Sequence, residues 1–238
     1  MRPVVWEVLV SSAVSDWASY SQNVLGEAPL RAVYQNWQFH ATSLGYLLKF
    51  RPPPARVLSI GCNLGLFDAL LLAHGYHVTS IDNDPAVIEM AEMLSKQHGF
   101  GLNFEQADAF DLKKYHDRFD VAYSAGLVEH WHGRETVRLL KEHARCAPIV
   151  QVEVPTRWTW RIEKVGPAAG DMVTLTAREL KQRVRNAGLL PLKTYPLGAV
   201  PSRLREVGES LVPPVIFRRL QLLAGISMGS GIIARRPA

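Results

Sequence analysis

A short apolar strand, Arg56-Val57-Leu58-Ser59-Ile60, runs through Gly61-Cys62-Asn63-Leu64-Gly65 straight into an apolar helix predicted over 66–74, and this unit constrains the fold most. Glycines at a strand-to-helix turn accept positive φ and let a ligand approach the backbone closely. The helix that follows presents oriented amides to the same place. The pattern then repeats. Residues 77–81 form a β-branched strand, and Asp84-Pro85 opens a helix, with Asp as cap and Pro in the first turn. Val87, Ile88, Ala91 and Leu94 give that helix a buried stripe. Three more strands are predicted at 102–105, 119–124 and 148–154, with a helix over 135–144 between the last two. Alternating strands and helices predict an α/β fold: a doubly wound, Rossmann-like parallel sheet with helices on both faces.

Pro52-Pro53-Pro54 cannot continue a helix, so they separate residues 1–50 from 51–238. The first segment reads as helical pieces rich in aromatics and forms an N-terminal helical cap. The second reads as one α/β domain. In its later part Thr176 and Glu179 make a capping box for a helix to about Asn186, stopped by Gly188. Strands are expected at 190–195 and 231–235. The partly helical segment 201–225 between them lies where an insertion would cover a site.

Composition narrows the partners. The chain has 238 residues, 47% hydrophobic, enough for one sizeable core. Its net charge of +5 is scattered, which disfavours nucleic acid and fits an anionic small substrate or no electrostatic role. Cys62 and Cys146 have no metal or disulfide spacing. Glu7 interrupts the first apolar stretch, so it does not read as a signal peptide. The stretch 220–234 is too short and glycine-rich to span a membrane. These features predict a cytoplasmic protein with no metal and no membrane association.

Asp82 ends the second strand roughly twenty positions after the first glycine, which places a carboxylate beside the turn in a doubly wound sheet. Such a carboxylate can accept both hydroxyls of a ribose. Asp108-Ala109 follows the third strand, where an acid can accept from an adenine amino group. Asp82-Asn83-Asp84 is set aside as a metal site, because Asp82 and Asp84 already have a ribose and a helix cap to serve.

These residues resemble the class I S-adenosylmethionine-dependent methyltransferases. The run from Val57 to Gly65 is similar to that family's glycine-rich first motif, Asp82 to its ribose-binding acid, and Asp108-Ala109 to its adenine-binding pair. Phe119-Asp120-Val121-Ala122-Tyr123-Ser124-Ala125-Gly126-Leu127-Val128-Glu129-His130 resembles its fourth strand and following loop. The resemblance covers roughly 55–195. It implies a seven-stranded sheet with an antiparallel last strand. It also implies an S-adenosylmethionine site made by Ser59, Gly61, Asn63, Gly65, Asp82, Asp108, Ala109 and Ser124. Two positions depart from the pattern. Ser59 stands where the family usually carries an acid serving the methionine ammonium, and Asn63 stands for the middle glycine. Asparagine tolerates left-handed angles better than other non-glycine residues. Ser59→Asp is therefore expected to keep or improve cofactor affinity.

The implied activity is methyl transfer to a small-molecule acceptor. The alternatives are a degenerate binding or partner subunit and, with Asn63 against it, an NAD(P)-dependent reductase. His130, after the fourth strand, is the candidate general base, with His132 as a lesser one. Trp37 in the cap, and Arg157, Trp158, Trp160 and Arg161 after the fifth strand, are the candidate substrate contacts. Trp and Arg in alternation can stack on a planar ring and pair with an anion.

Overall fold

The computed structural model describes residues 29–156, 172–198 and 227–237, with Pro213 and Ile216. The elements run α1 (Pro29–Phe50), β1 (Arg56–Ile60), α2 (Leu66–Ala73), β2 (His77–Asp82), α3 (Pro85–His98), β3 (Asn103–Gln106), β4 (Val121–Ala125), α4 (Gly133–Cys146), β5 (Ile149–Pro155), α5 (Ala177–Asn186), β6 (Leu190–Leu197) and β7 (Gly229–Arg235). The seven strands form one sheet in the order β3-β2-β1-β4-β5-β7-β6. Strand β7 runs antiparallel to both its neighbours, and the pairings from β3 across to β5 are parallel. Strand order reverses between β1 and β4, and ligands of open α/β sheets bind at the carboxyl ends of the strands beside such a reversal.

Strands β1, β4 and β5 are buried almost throughout, as parallel strands covered on both faces must be. On one face Leu139 and Leu140 of α4 and Leu180 and Val184 of α5 pack on Val150, Val152, Ile232 and Ala234. On the other, Leu44 and Leu47 of α1 join Phe67 and Leu71 of α2 over Val57, Val78, Val121 and Tyr123. The local signals hold: Asp84 Oδ1 accepts from the Ala86 amide at 2.9 Å, and both halves of the Thr176–Glu179 capping box form. Strand β4 begins two residues later than expected. Asp120 is instead held outside it by Arg51 (2.6 Å) and by the Arg56 amide (2.8 Å). Of the expected cap, the described part is one continuous helix, α1. Arg157, Trp158, Trp160, Arg161 and the segment 201–225 lie outside the described residues, Pro213 and Ile216 apart.

Helix α1 is fixed to the sheet by buried polar groups as well as apolar ones. Glu153 on β5 is 2% exposed and accepts from four side chains. These are His40 Nδ1 (2.7 Å) and Ser43 Oγ of α1, the Tyr123 hydroxyl (3.1 Å) and the Tyr195 hydroxyl (2.9 Å). Burial, and then the Glu153 charge, push both phenols well above their ordinary range. Tyr195 reaches Glu153 by lying across Gly231, the β7 residue paired with both. A methyl group at 231 would overlap the Tyr195 ring. Gly231→Ala is therefore expected to destabilise the protein by about 1–3 kcal/mol, as overpacking does. A thermal melt checks this; an unchanged midpoint would mean that the ring moves aside freely.

Candidate active site

Three loops meet at the carboxyl ends of β1 to β4. In the first, Gly61, Asn63 and Gly65 all have positive φ (68°, 49° and 67°), so the turn needs left-handed residues at alternate positions. Asn63 meets the demand with its own side chain, since its Oδ1 accepts from the Leu64 amide at 2.7 Å. The amides of Gly61 and Cys62 both donate to the Ile81 carbonyl at 2.9 Å, which ties the turn to β2. A side chain at Gly61 would strike Leu127, so the loop after β4 closes against the glycine turn.

Asp82 knits the site together. Its Oδ2 accepts from the Asn63 amide (3.1 Å) and its Oδ1 from the Asp84 amide (3.2 Å). Burial raises its pKa, while these amides and that of Asn83 act the other way. A carboxylate has about four lone-pair positions. Three amides take up most of that capacity and leave the carboxylate room for a further hydroxyl.

The Asp82 carbonyl accepts from the Ala107 amide at 2.9 Å and so draws in the loop after β3. There Asp108 is exposed, with Oδ1 on the Phe110 amide at 2.8 Å, and Ala109 is half-buried. Phe110 meets Trp131 edge-on at 5.0 Å, linking this loop to the one after β4. In that loop His130 is half-buried and hydrogen-bonded to the Gly126 carbonyl. Burial lowers its pKa, and the carbonyl acts against that shift. A neutral imidazole that donates from one nitrogen keeps the other as an acceptor. Its neighbour Glu129 is 2% exposed, pushed up to about 8 by burial, and has an unpartnered Oε2. Burial thus favours its neutral form. His132 is the residue before the first turn of α4.

Gly61, Asn63, Gly65, Asp82, Asp108, Ala109 and His130 thus lie on converging loops. Trp37 joins them from α1: its indole N–H donates to the Leu66 carbonyl at 2.6 Å, and it packs with Leu64 and Leu66 at the turn. Ser59 and Ser124 do not join them. Ser59 is 2% exposed and donates to the Asp68 carboxyl beneath the turn. Ser124 faces α4, where its Oγ is 3.0 Å from His143 Nε2. Burial lowers His143 to about 4, and its Nδ1–H donates to the Leu139 carbonyl, so Nε2 accepts from Ser124. Neither Asp68 nor Glu129 stood out in the sequence. The signal for Asp68 was there: one acid in the apolar run Leu66-Phe67-Asp68-Ala69-Leu70-Leu71. Among the described residues no group of three metal-ligating side chains converges. A groove of about 720 Å³ lined by Arg134, Arg138, Lys141 and Arg145 lies between α4 and α5, on the outer helices rather than at these loops.

The strand order and the glycine turn define the fold of the class I methyltransferases. Residues 57–147, less than half of the chain, match the family model described as a methyltransferase domain. Over 95 residues the chain is 34% identical to a ubiquinone biosynthesis O-methyltransferase of Coxiella burnetii. That stretch is 40% of this chain and 38% of the relative, so the chain matches well under half of the length of that protein. Among solved structures it is similar to magnesium protoporphyrin IX methyltransferase from Synechocystis PCC 6803, determined with bound SAH. The TM-score is 0.64 at 12% identity over 91% of this chain and 92% of that one. The [4+2]-cyclase SpnF has the same fold, with a TM-score of 0.59, 18% identity and coverage of 85% and 84%. At such identities these likenesses establish the fold, and the reaction has to be argued from the site.

Proposed function

We propose that this chain is an S-adenosylmethionine-dependent methyltransferase acting on a small-molecule acceptor. The observation that carries the reading is Asp82, a strand-end carboxylate held against the glycine turn with acceptor capacity left for a hydroxyl. That acceptor suits a ribose hydroxyl, and Asp108 with Ala109 after β3 suits the adenine of the same ligand. The matched methyltransferase-domain model and the O-methyltransferase relatives point the same way.

The cofactor supplies a methyl group already activated on a sulfonium, so the chain's task is alignment and exclusion of water. Alignment of reacting groups contributes on the order of 7–11 kcal/mol to such reactions. The turn and Asp82 hold the adenosyl end. His130 accepts the proton when the acceptor is a hydroxyl or an acidic carbon. Trp37, with Arg157, Trp158, Trp160 and Arg161, forms the acceptor side. Residues 1–50 serve as the cap and 51–238 as the catalytic domain. We place the enzyme in the cytoplasm, without metal or nucleic-acid partners. Support for this comes from the two unpaired cysteines and from the lack, among described residues, of a helix long and apolar enough to cross a membrane.

Titration calorimetry with S-adenosylmethionine, S-adenosylhomocysteine and NADH tests the reading. Asp82→Ala is expected to weaken adenosyl binding about tenfold or more, equivalent to about 1.4 kcal/mol. Asp108→Ala is expected to do less, as one hydrogen bond to a neutral amine contributes about 0.5–1.5 kcal/mol. Preference for NADH, or an unchanged dissociation constant in folded Asp82→Ala protein, removes the assignment.

A further inference from the structure

The scheme above leaves Asp68 without a task. It lies in the first turn of α2, 2% exposed, among Leu66, Phe67, Ala69 and Leu71. Ser59 and Ser80 are register partners on β1 and β2, and both hydroxyls turn to this carboxyl. Ser80 Oγ donates to Oδ2 at 2.6 Å, and Ser59 donates as well. Ser59 lies two residues before Gly61 and Ser80 two before Asp82, so the carboxyl sits beneath the glycine turn. Its charge is felt inside that turn: after burial, Asp68 and then Asp82 raise the Cys62 thiol.

No Lys or Arg among the described residues pairs with Asp68, and His40 of α1 is the cation-forming side chain that acts on it. Burial holds its pKa up at about 6, against the two serine hydroxyls. Stability alone would favour an apolar side chain in such a place. The strand order says what the acid faces. Asp108 follows β3, Asp82 ends β2 and His130 follows β4, while β1 lies between β2 and β4. A ligand with adenine at β3 and ribose at β2 carries its remaining part past the end of β1, above Asp68. In S-adenosylmethionine that part bears an ammonium, a carboxylate and a sulfonium, and so carries a net positive charge.

We propose that Asp68 is the counter-charge for the cationic end of the bound cofactor, acting as a positioning residue from beneath the glycine turn. This rests on the reading of the loops as an S-adenosylmethionine site. A buried carboxylate under a thin turn acts through low dielectric, where a cation above it is attracted far more strongly than in water.

The test is calorimetry of wild type and Asp68→Asn with three ligands. S-adenosylmethionine carries both cations, S-adenosylhomocysteine the ammonium alone, and 5′-methylthioadenosine neither. Asn keeps an oxygen for Ser80 and removes the charge. The first two ligands are expected to bind about tenfold or more weakly to the variant, and the third to change by less than about twofold. Ser59→Asp alone now sets two buried carboxylates side by side, so it is made together with Asp68→Ser. That double variant moves the acid across one hydrogen bond and is expected to recover S-adenosylmethionine affinity relative to Asp68→Ser alone. If Asp68→Asn does not fold, this serine pair carries the same comparison. Equal losses for all three ligands, or none, would overturn the proposal while leaving the site standing. A wild-type protein that binds none of the three would overturn both.

Discussion

His130→Ala is expected to bind S-adenosylmethionine as wild type does and to turn over roughly a hundredfold more slowly, within the usual range for a lost general base. The effect falls on turnover because the proton moves in the transition state, not on binding. The geometry favours this role over that of a surface histidine. The ring is half-buried on the loop that closes on Gly61, and its bond to the Gly126 carbonyl holds it there. Burial also lowers its pKa, so the imidazole is neutral, and competent as a base, from below its ordinary value of about 6.5 upward. In wild type the rate should therefore rise with pH through an apparent pKa below that value and level off at neutral pH. The variant should lack the rising limb. A labelled-methyl screen of candidate acceptors, hydroxyl compounds first because His130 would serve a hydroxyl, supplies the substrate. Wild-type-like turnover of a hydroxyl acceptor by the variant would sink the assignment.

Glu153→Ala should be the most destabilising of these substitutions, by about 3–5 kcal/mol, the range for removing one partner of a buried polar pair. The carboxylate is the common acceptor for His40, Ser43, Tyr123 and Tyr195, so its loss leaves four donors facing an apolar space. Donors stranded in the interior lose water without replacement, and the penalty belongs to each of them. For a chain of this size the melting temperature should fall by about 6–20 °C. Glu153→Gln keeps the shape and one acceptor oxygen, and should lose less. A shift under about 2 °C for the alanine variant would show that the cluster relaxes onto other partners.

These two residues mark where the sequence was readable and where it was not. The strands, the Asp84 cap, the Thr176–Glu179 box and the left-handed tolerance of Asn63 are local effects, and each is written within a few residues. Asp82 was legible because its place follows from one strand length and one helix length. Ser59 and Ser124 were misplaced for a different reason. Alternate residues of a strand face opposite ways, and only the packing of α2 and α4 decides what each face meets. Ser59 meets Asp68, and Ser124 meets His143. Glu153 went unnoticed because its partners lie on α1, β4 and β6, far away in sequence. A polar stripe on α1 and an acid inside an apolar strand read as unrelated oddities until the sheet assembles.

That separation also bears on how the chain reaches its native state during synthesis. His40 and Ser43 emerge from the ribosome more than a hundred residues ahead of Glu153, and Tyr195 comes later still. Strands β1 to β4 and helices α2 and α3 hold the glycine turn and Asp82, and they can associate through contacts close in sequence. Helix α1 cannot complete its docking until β5 and β6 are out. Non-local closure of this kind is slow and leaves apolar surface open meanwhile. The glycine turn and Asp82 therefore come together early, whereas the Glu153 contacts of α1 wait for the far edge of the sheet. A nascent chain halted between Ala125 and Glu153 would carry α1 already packed on α2 and β1 but with His40 and Ser43 lacking their acceptor.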